Sequence, residues 1–456
     1  MPDILENTNI LESTDALKAW MEAGSTPRDA WRIGTEHEKL GFHRDKFTPL
    51  PYGGTQGIRA MLEGLMAYGW RGKYEEGEIL VGLVRDDGAS VTLEPGGQLE
   101  LSGAPLATIH QTCEEIDAHL KEVHEVATPL EQAYLGVGYS PLWTLPAAAQ
   151  MPKGRYKLMR DYMPRCGTRG LEMMHLSCTV QVNLDFADEA DMVEKLRIGL
   201  ALQPVITALF ANSPFVGAVP SGNISERGCV WQQTDNVRTG MLPLAFAQGF
   251  GFEHYVDYAL DVPMYFVIRD GVFINCLGAS FRDFLDGKLE ALPNEKPTAE
   301  DWESHLTTLF PEARVKRYIE MRGADSGVRG ALCALPALWV GLLYDSTSQS
   351  QIAAMIADWT QSERETLYRQ APVHGFATPF RDTTLLALAR QILDIAEAGL
   401  ARRACGNGAG LADETMYLSY LREMTDSGQN LSDKLLHAFH NEWQGDIHPI
   451  FKELCL

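Results

Sequence analysis

The sequence predicts an α+β fold built on a mostly antiparallel sheet, and three observations predict it. In the first two thirds of the chain, short alternating segments follow one another through tight turns such as Asp87-Gly88 and Pro95-Gly96-Gly97. Strands joined so closely run antiparallel, because a parallel pair needs a long crossover. From Leu332 onward the apolar spacing is helical almost throughout. The regular strand–helix alternation of a doubly wound parallel sheet is missing.

Taken in order, a helix is expected over 15–23, with Thr14 as its cap. A strand follows over 31–42 (WRIGTEHEKLGF), then three more over 79–84, 90–94 and 98–102. Apolar spacing of three and four makes 106–127 a long helix. The segment 171–186 (LEMMHLSCTVQVNLDF) reads as a strand that alternates cleanly near its end, and 189–210 as a helix. A hairpin over 264–276 turns at Asp270-Gly271, and 314–322 (RVKRYIEMR) reads as one more strand. Helices are expected over 332–345, 349–357, 361–370, 382–402, 411–427 and 430–443. The expected division is a catalytic body over 1–330 and a helical portion over 331–456 packed on it as one unit.

The chain has 456 residues, 45% of them hydrophobic, which is ample for a large core. A net charge of −22 without a basic stripe excludes nucleic acid as a partner. No apolar run approaches ~18 residues, so no membrane span is expected. The start, MPDILENTNILEST, lacks the basic and apolar regions of a secretory leader. Cys113, Cys166, Cys178, Cys229, Cys276, Cys333, Cys405 and Cys455 are scattered, with no CxxC pair. A reducing cytoplasm is the expected compartment.

The residues that carry chemistry are carboxylates on strands. Glu36 and Glu38 lie two apart, so both face one side of their strand. Glu94 ends one strand, and Gln98 and Glu100 share a face of the next. Glu320 and Arg322 share a face of a third segment. Taken one by one, these are a solvated strand face, a hairpin with polar rims and a cross-strand ion pair. Together they offer acids from three strands to one face, which is what a multi-magnesium nucleotide site needs. Arg322 would then neutralise charge on a migrating phosphoryl group. His37-Glu38-Lys39 does not complete an HExxH zinc motif, and no P-loop or GxSxG elbow is present. The glycine run over 406–410 follows a helix and reads as a loop.

The strings GTEHEKLGF, LEPGGQLELSGAP, MPKGRYKLMRDYMP, CTVQVNLDF, LFANSPF, TDNVRTGMLP, YVDYALDVPMYF, KRYIEMRGAD and LCALPALWVGLLYD occur in this order. With them the chain resembles glutamate–cysteine ligase of the group shared by plants and some proteobacteria, from about residue 30 to the end. The resemblance implies a glutamine-synthetase-like fold, a curved sheet whose concave face holds metals, ATP and glutamate. It implies ligation of the glutamate γ-carboxyl group to cysteine through a γ-glutamyl phosphate, the first step of glutathione synthesis. Glu36, Glu38, Glu94, Glu100 and Glu320 would hold two or three magnesium ions, and Arg322 with Glu320 would be catalytic. Lys153 and Gln181 would contact ATP. Arg155 and Arg238 are candidates for the glutamate α-carboxylate, since arginine recognises a carboxylate through two bonds. Thr179 and Asn183 could bond substrate, and Asn212, Trp231, Tyr258 and Tyr265 could shape the amino-acid pocket. Substrates are the expected partners, to a monomer or a weak homodimer.

Plant members carry two cysteine pairs that act as redox switches. Cys113 and Cys333 match one pair; of the other, Cys276 is present but its partner position holds Ala291. The broken pair and the N-terminus without a transit-like composition favour a bacterial cytoplasm over a plastid. Two other functions share these features. One is a ligase for a different amine, and the other is a non-catalytic regulatory protein that kept the fold. An intact set of six site residues argues against the second.

Overall fold

The structure is a computed structural model that describes residues 10–75 and 77–456. The leaderless start expected over the first residues lies outside this range for 1–9. Nine strands form one antiparallel sheet: β1 (Ile33–His43), β2 (Arg71–Glu75), β3 (Ile79–Val84), β4 (Ser90–Leu93), β5 (Leu99–Ser102), β6 (Gln132–Leu135), β7 (Thr179–Leu184), β8 (Ala313–Val315) and β9 (Ile319–Asp325). Their order is β8-β9-β7-β1-β5-β4-β3-β2, and β6 pairs with the far end of β1. The α+β class and the antiparallel pairing follow the tight turns, as expected.

β1 is the spine, and its two faces have different chemistry. Ile33, Thr35, His37 and Lys39 are buried on one face, where His37 meets His119 of the helix Ile109–Ala127. Val180, Val182 and Leu184 of β7 add to that face. The helices Glu189–Leu209 and Arg329–Leu343 complete the apolar core they share. Nearly every side chain of Arg329–Leu343 is buried, so this helix and the sheet bury one another's apolar surface, the main favourable term in folding. Glu36 and Glu38 point to the opposite face. Cys113 and Cys333, on two helices of the core, are both buried free thiols.

Several elements differ from the sequence reading for identifiable reasons. The first helix is Thr14–Glu22, and Ser13 caps it by accepting from the Ala16 amide. Residues Gly170–Leu176 form a helix, with the strand starting only at Thr179. LEMMHL has no alternation and consists mostly of good helix formers. The segment over 314–322 is a hairpin, with Arg314 opposite Glu320 and the chain reversing over 316–318. The helix expected over 411–427 starts only at Ser419, after a 3₁₀ turn over Thr415–Leu418. The helices Ile58–Leu65, Gly154–Cys166 and Phe252–Asp261 were not expected.

Candidate active site

Cross-strand register gathers the polar residues onto the face opposite the core. Glu38 on β1 lies directly across from Glu100 on β5, and Glu36 across from Gln181 on β7. Asn183 of β7 lies across from Glu320 of β9. A β-bulge between Met321 and Ala324 turns β9 out of register just where Arg322 sits. Arg322 Nη1 then reaches Gln181 Oε1 at 2.7 Å.

One half of this face is acidic. Glu36 accepts from Asn183 Nδ2 at 2.8 Å, Glu38 from the Thr179 amide at 2.9 Å, and Glu100 from Thr92 Oγ1 at 2.6 Å. Among the described residues, none of these three has a cationic side chain within ion-pair distance. Burial, then Glu100 and Glu320, pushes the Glu36 carboxyl up to about 7. Burial, then Glu94 and Glu100, holds Glu38 well above its ordinary range, and burial with Glu94 raises Glu100. Desolvated like charges side by side fit a divalent cation. Among the described residues, no three His, Cys, Asp or Glu side chains converge closely enough to hold one by themselves. Magnesium that keeps water and phosphate oxygens among its ligands suits such a sparse set.

The other half is basic. Glu320, expected among the metal ligands, is instead enclosed by cations. Arg314 Nε bonds it, Lys316 Nζ is 2.7 Å away and Arg322 3.6 Å. Burial opposes its charge, but these three cations hold it below the usual carboxylate range. Its position makes it an anchor for the cationic cluster. Burial and the nearby Arg314 bring Arg322 down to about 10.

A narrow cavity of about 80 Å³ runs between the halves, lined by Glu38, Glu94, Thr179, Gln181, Trp231 and Arg322 among others. Arg227 lines it too and was missed by the sequence reading. It is 4% exposed, donates to the Arg322 carbonyl at 3.0 Å and leaves Nε without a partner among the described residues. No motif or spacing marks it, because it comes from a six-residue helix, Glu226–Trp231, packed over the sheet. Thr179 Oγ1 bonds the Arg322 and Ala324 carbonyls at 3.0 and 2.8 Å, so this hydroxyl staples β7 to β9.

A wider cleft of about 520 Å³ adjoins it, between β2–β4 and the hairpin of Phe266–Arg269 and Val272–Asn275. Lys153 and Arg155 line it, with Tyr74, Phe266 and Phe273 as aromatic walls. Arg155 stands 3.7 Å from Glu94 and so bridges cleft and cavity. Lys153 Nζ donates to the Leu93 carbonyl at 2.9 Å, and burial, then Arg155, brings it down to about 7.

Other expected substrate residues lie elsewhere. Arg238 is fully buried, ion-paired to Asp235 at 2.8 Å and bonded to the Thr308 and Pro263 carbonyls. It stacks on Tyr265, which is 1% exposed. Tyr258 packs edge-on against Tyr255. Asn212 bonds the Gly136 and Ser326 carbonyls. None of these four lines the narrow cavity or the wider cleft.

The Pro95-Gly96-Gly97 turn sets the acidic half. Gly97 has φ +85°, and a Cβ on Gly96 would lie 2.2 Å from the His175 carbonyl oxygen. Gly96→Ala must therefore shift backbone against backbone, at an expected cost of about 1–3 kcal/mol. A thermal melt should show the loss; an unchanged midpoint would contradict the close approach.

A model of glutamate-cysteine ligase family 2 matches residues 32–453. The chain is 50% identical to the chloroplastic glutamate–cysteine ligase of Nicotiana tabacum over 439 residues, covering 96% of this chain and 82% of that one. It is 51% identical to glutamate–cysteine ligase B, chloroplastic, of Oryza sativa subsp. japonica, covering 96% and 86%. Among solved structures, a glutamate–cysteine ligase from Francisella tularensis in complex with AMP superimposes with a TM-score of 0.51 at 14% identity, covering 90% of this chain and 85% of that one. At that identity the likeness is one of fold.

Proposed function

The chain belongs to glutamate-cysteine ligase family 2 and joins glutamate to cysteine for glutathione biosynthesis, and we propose that the divided face of its sheet does so by phosphoryl transfer from ATP. The plant relatives are named chloroplastic, which overturns the bacterial cytoplasmic placement expected from the sequence and points to a plastid. Among the described residues no helix is long and apolar enough to cross a membrane.

A carboxylate resists attack by an amine because its leaving group would be oxide. Transfer of the ATP γ-phosphoryl group to the glutamate γ-carboxylate makes phosphate the leaving group. The cysteine amine then attacks the acyl carbon. Phosphoryl transfer needs positioning and positive charge more than covalent help from the protein. Arg322 provides planar donors at the midpoint of the face, and Glu320, with Arg314 and Lys316, fixes the charge around it. Glu36, Glu38, Glu94 and Glu100 would hold magnesium, which when bound neutralises the phosphate oxygens. Lys153 and Arg155 would meet the phosphates, with the nucleoside against the aromatic walls of the wider cleft. Arg227, whose Nε is unpartnered, is better placed than Arg238 for the glutamate α-carboxylate. Met173 and Met174 line the same cavity beside Trp231 and suit a thiol.

The observation that carries this reading is the pairing of Glu38 with Glu100 on a buried face whose other half presents Arg227 and Arg322. The test is ADP release with glutamate, ATP and magnesium, omitting cysteine and then magnesium, and replacing cysteine by other amines. Full turnover should require every component and prefer cysteine. Faster turnover with an amine that lacks a thiol, or indifference to a chelator, would overturn the assignment.

A further inference from the structure

Away from the acidic face, the helices Glu189–Leu209 and Ser346–Ile356 and the segment 243–250 line an open cavity of about 760 Å³. Arg197 and Arg364 line it, and neither is ion-paired with a carboxylate of the described residues. Arg364 is 9% exposed and stacks on Phe246 at 3.6 Å. Among the described residues its one acceptor is the Trp359 carbonyl, taken by Nη1, so the rest of the guanidinium is left to the cavity. Arg197 donates through Nε and Nη2 to the Ala245 and Ala247 carbonyls at 2.7 and 2.8 Å, leaving Nη1.

Two carboxylates share the cavity without pairing with these arginines. Glu189 Oε1 accepts from the Phe252 amide at 2.7 Å, and Glu194 Oε2 from Gln349 Nε2 at 2.6 Å, so among the described residues each keeps one oxygen free. Glu194 and Arg197 are three apart on one helix, a spacing that normally lets such side chains pair. Each is instead turned away by its own partners. Among the described residues the remaining guanidinium nitrogens of both arginines have no protein acceptor and open onto the cavity. Phe250, Ile356 and Trp359 supply apolar wall.

We infer that this cavity is a second binding site, for a small zwitterion such as an amino acid or short peptide, separate from the catalytic face. The ligand carboxylate lies on Arg364 and Arg197, its ammonium group on Glu194 and Glu189, and its apolar part on Phe250 and Trp359. Ile198 lines the cavity, and the adjacent Gly199 packs against Met321 of β9. The site thus borders the strand that carries Arg322. None of this rests on the proposed phosphoryl transfer.

The test is calorimetric titration of the full chain with L-phenylalanine, L-leucine and L-methionine, zwitterions with an apolar part and no γ-carboxylate. Benzoate and phenethylamine serve as probes with one charge each. A zwitterionic probe should bind, and at least about tenfold more weakly to Arg364→Met and to Glu194→Gln, roughly 1.4 kcal/mol. Both variants should keep wild-type turnover without probe, and circular dichroism verifies each fold. Their positions on opposite walls keep one informative if the other fails to fold. Absence of binding by all three zwitterions, equal binding by the variants, or benzoate binding as tightly as the amino acids would overturn the inference.

Discussion

Glu38→Gln is expected to lower kcat on the order of 10³-fold, the several kcal/mol a bound cation supplies to the transition state, while making the magnesium-free chain more stable. The two effects have one cause. Glu38 is half-buried beside Glu94 and Glu100, which disfavours its charge in the folded state. Glutamine removes the charge but retains an oxygen for the Thr179 amide. The melting temperature without magnesium should rise by roughly 2 °C, and the stabilisation by added magnesium should shrink. Loss of activity with a lower melting temperature would indicate a packing role instead.

The pH dependence carries the same sign. An acid whose pKa is higher folded than unfolded costs stability as pH rises from its unfolded value, about 4.3 for glutamate, through its folded value. For Glu36 that folded value is about 7. The magnesium-free chain should therefore lose stability as pH rises across this window, and the stabilisation by magnesium should grow as protons leave. Melts at several pH values, with and without magnesium, check both. Parallel curves would remove the carboxylates from metal binding.

Arg322→Lys is expected to cut kcat by about 10²-fold or more, the scale for removing one donor to developing charge, and to change KM for glutamate far less. Lysine keeps the charge but loses the planar fork that spans two oxygens. It also loses the bond to Gln181 Oε1 that aims the guanidinium from the bulge of β9. Steady-state kinetics with glutamate varied separate the outcomes. A rise in KM with kcat intact would place Arg322 in ground-state binding.

How much of this was legible in the sequence depends on the range of the forces involved. That Glu36 and Glu38 share a face follows from strand alternation, and that Glu100 returns to the same face follows from the short Pro95-Gly96-Gly97 turn. Arg227 was not legible, because its reach into the cavity depends on how the helix Glu226–Trp231 docks. Ser225 sets that docking by donating to Asp325, a hundred residues further along the chain. Glu320 was visible as a strand carboxylate, but its enclosure was not. A reversal over 316–318 places Arg314 opposite it, and a segment of mixed apolar and basic residues hides such a turn. Arg238 reads in the sequence as a ligand for a carboxylate, but Asp235 already pairs with it in the fold.

The sequence by itself determined the α+β class, the family and the acidic half of the face, because strand alternation, tight turns and ordered motifs act over a few residues. The tertiary structure alone decided which cations reach that face, which carboxylate they neutralise and which arginines are left unpaired. Those outcomes depend on register and docking between distant segments, where a few ångströms separate a buried ion pair from a free charge.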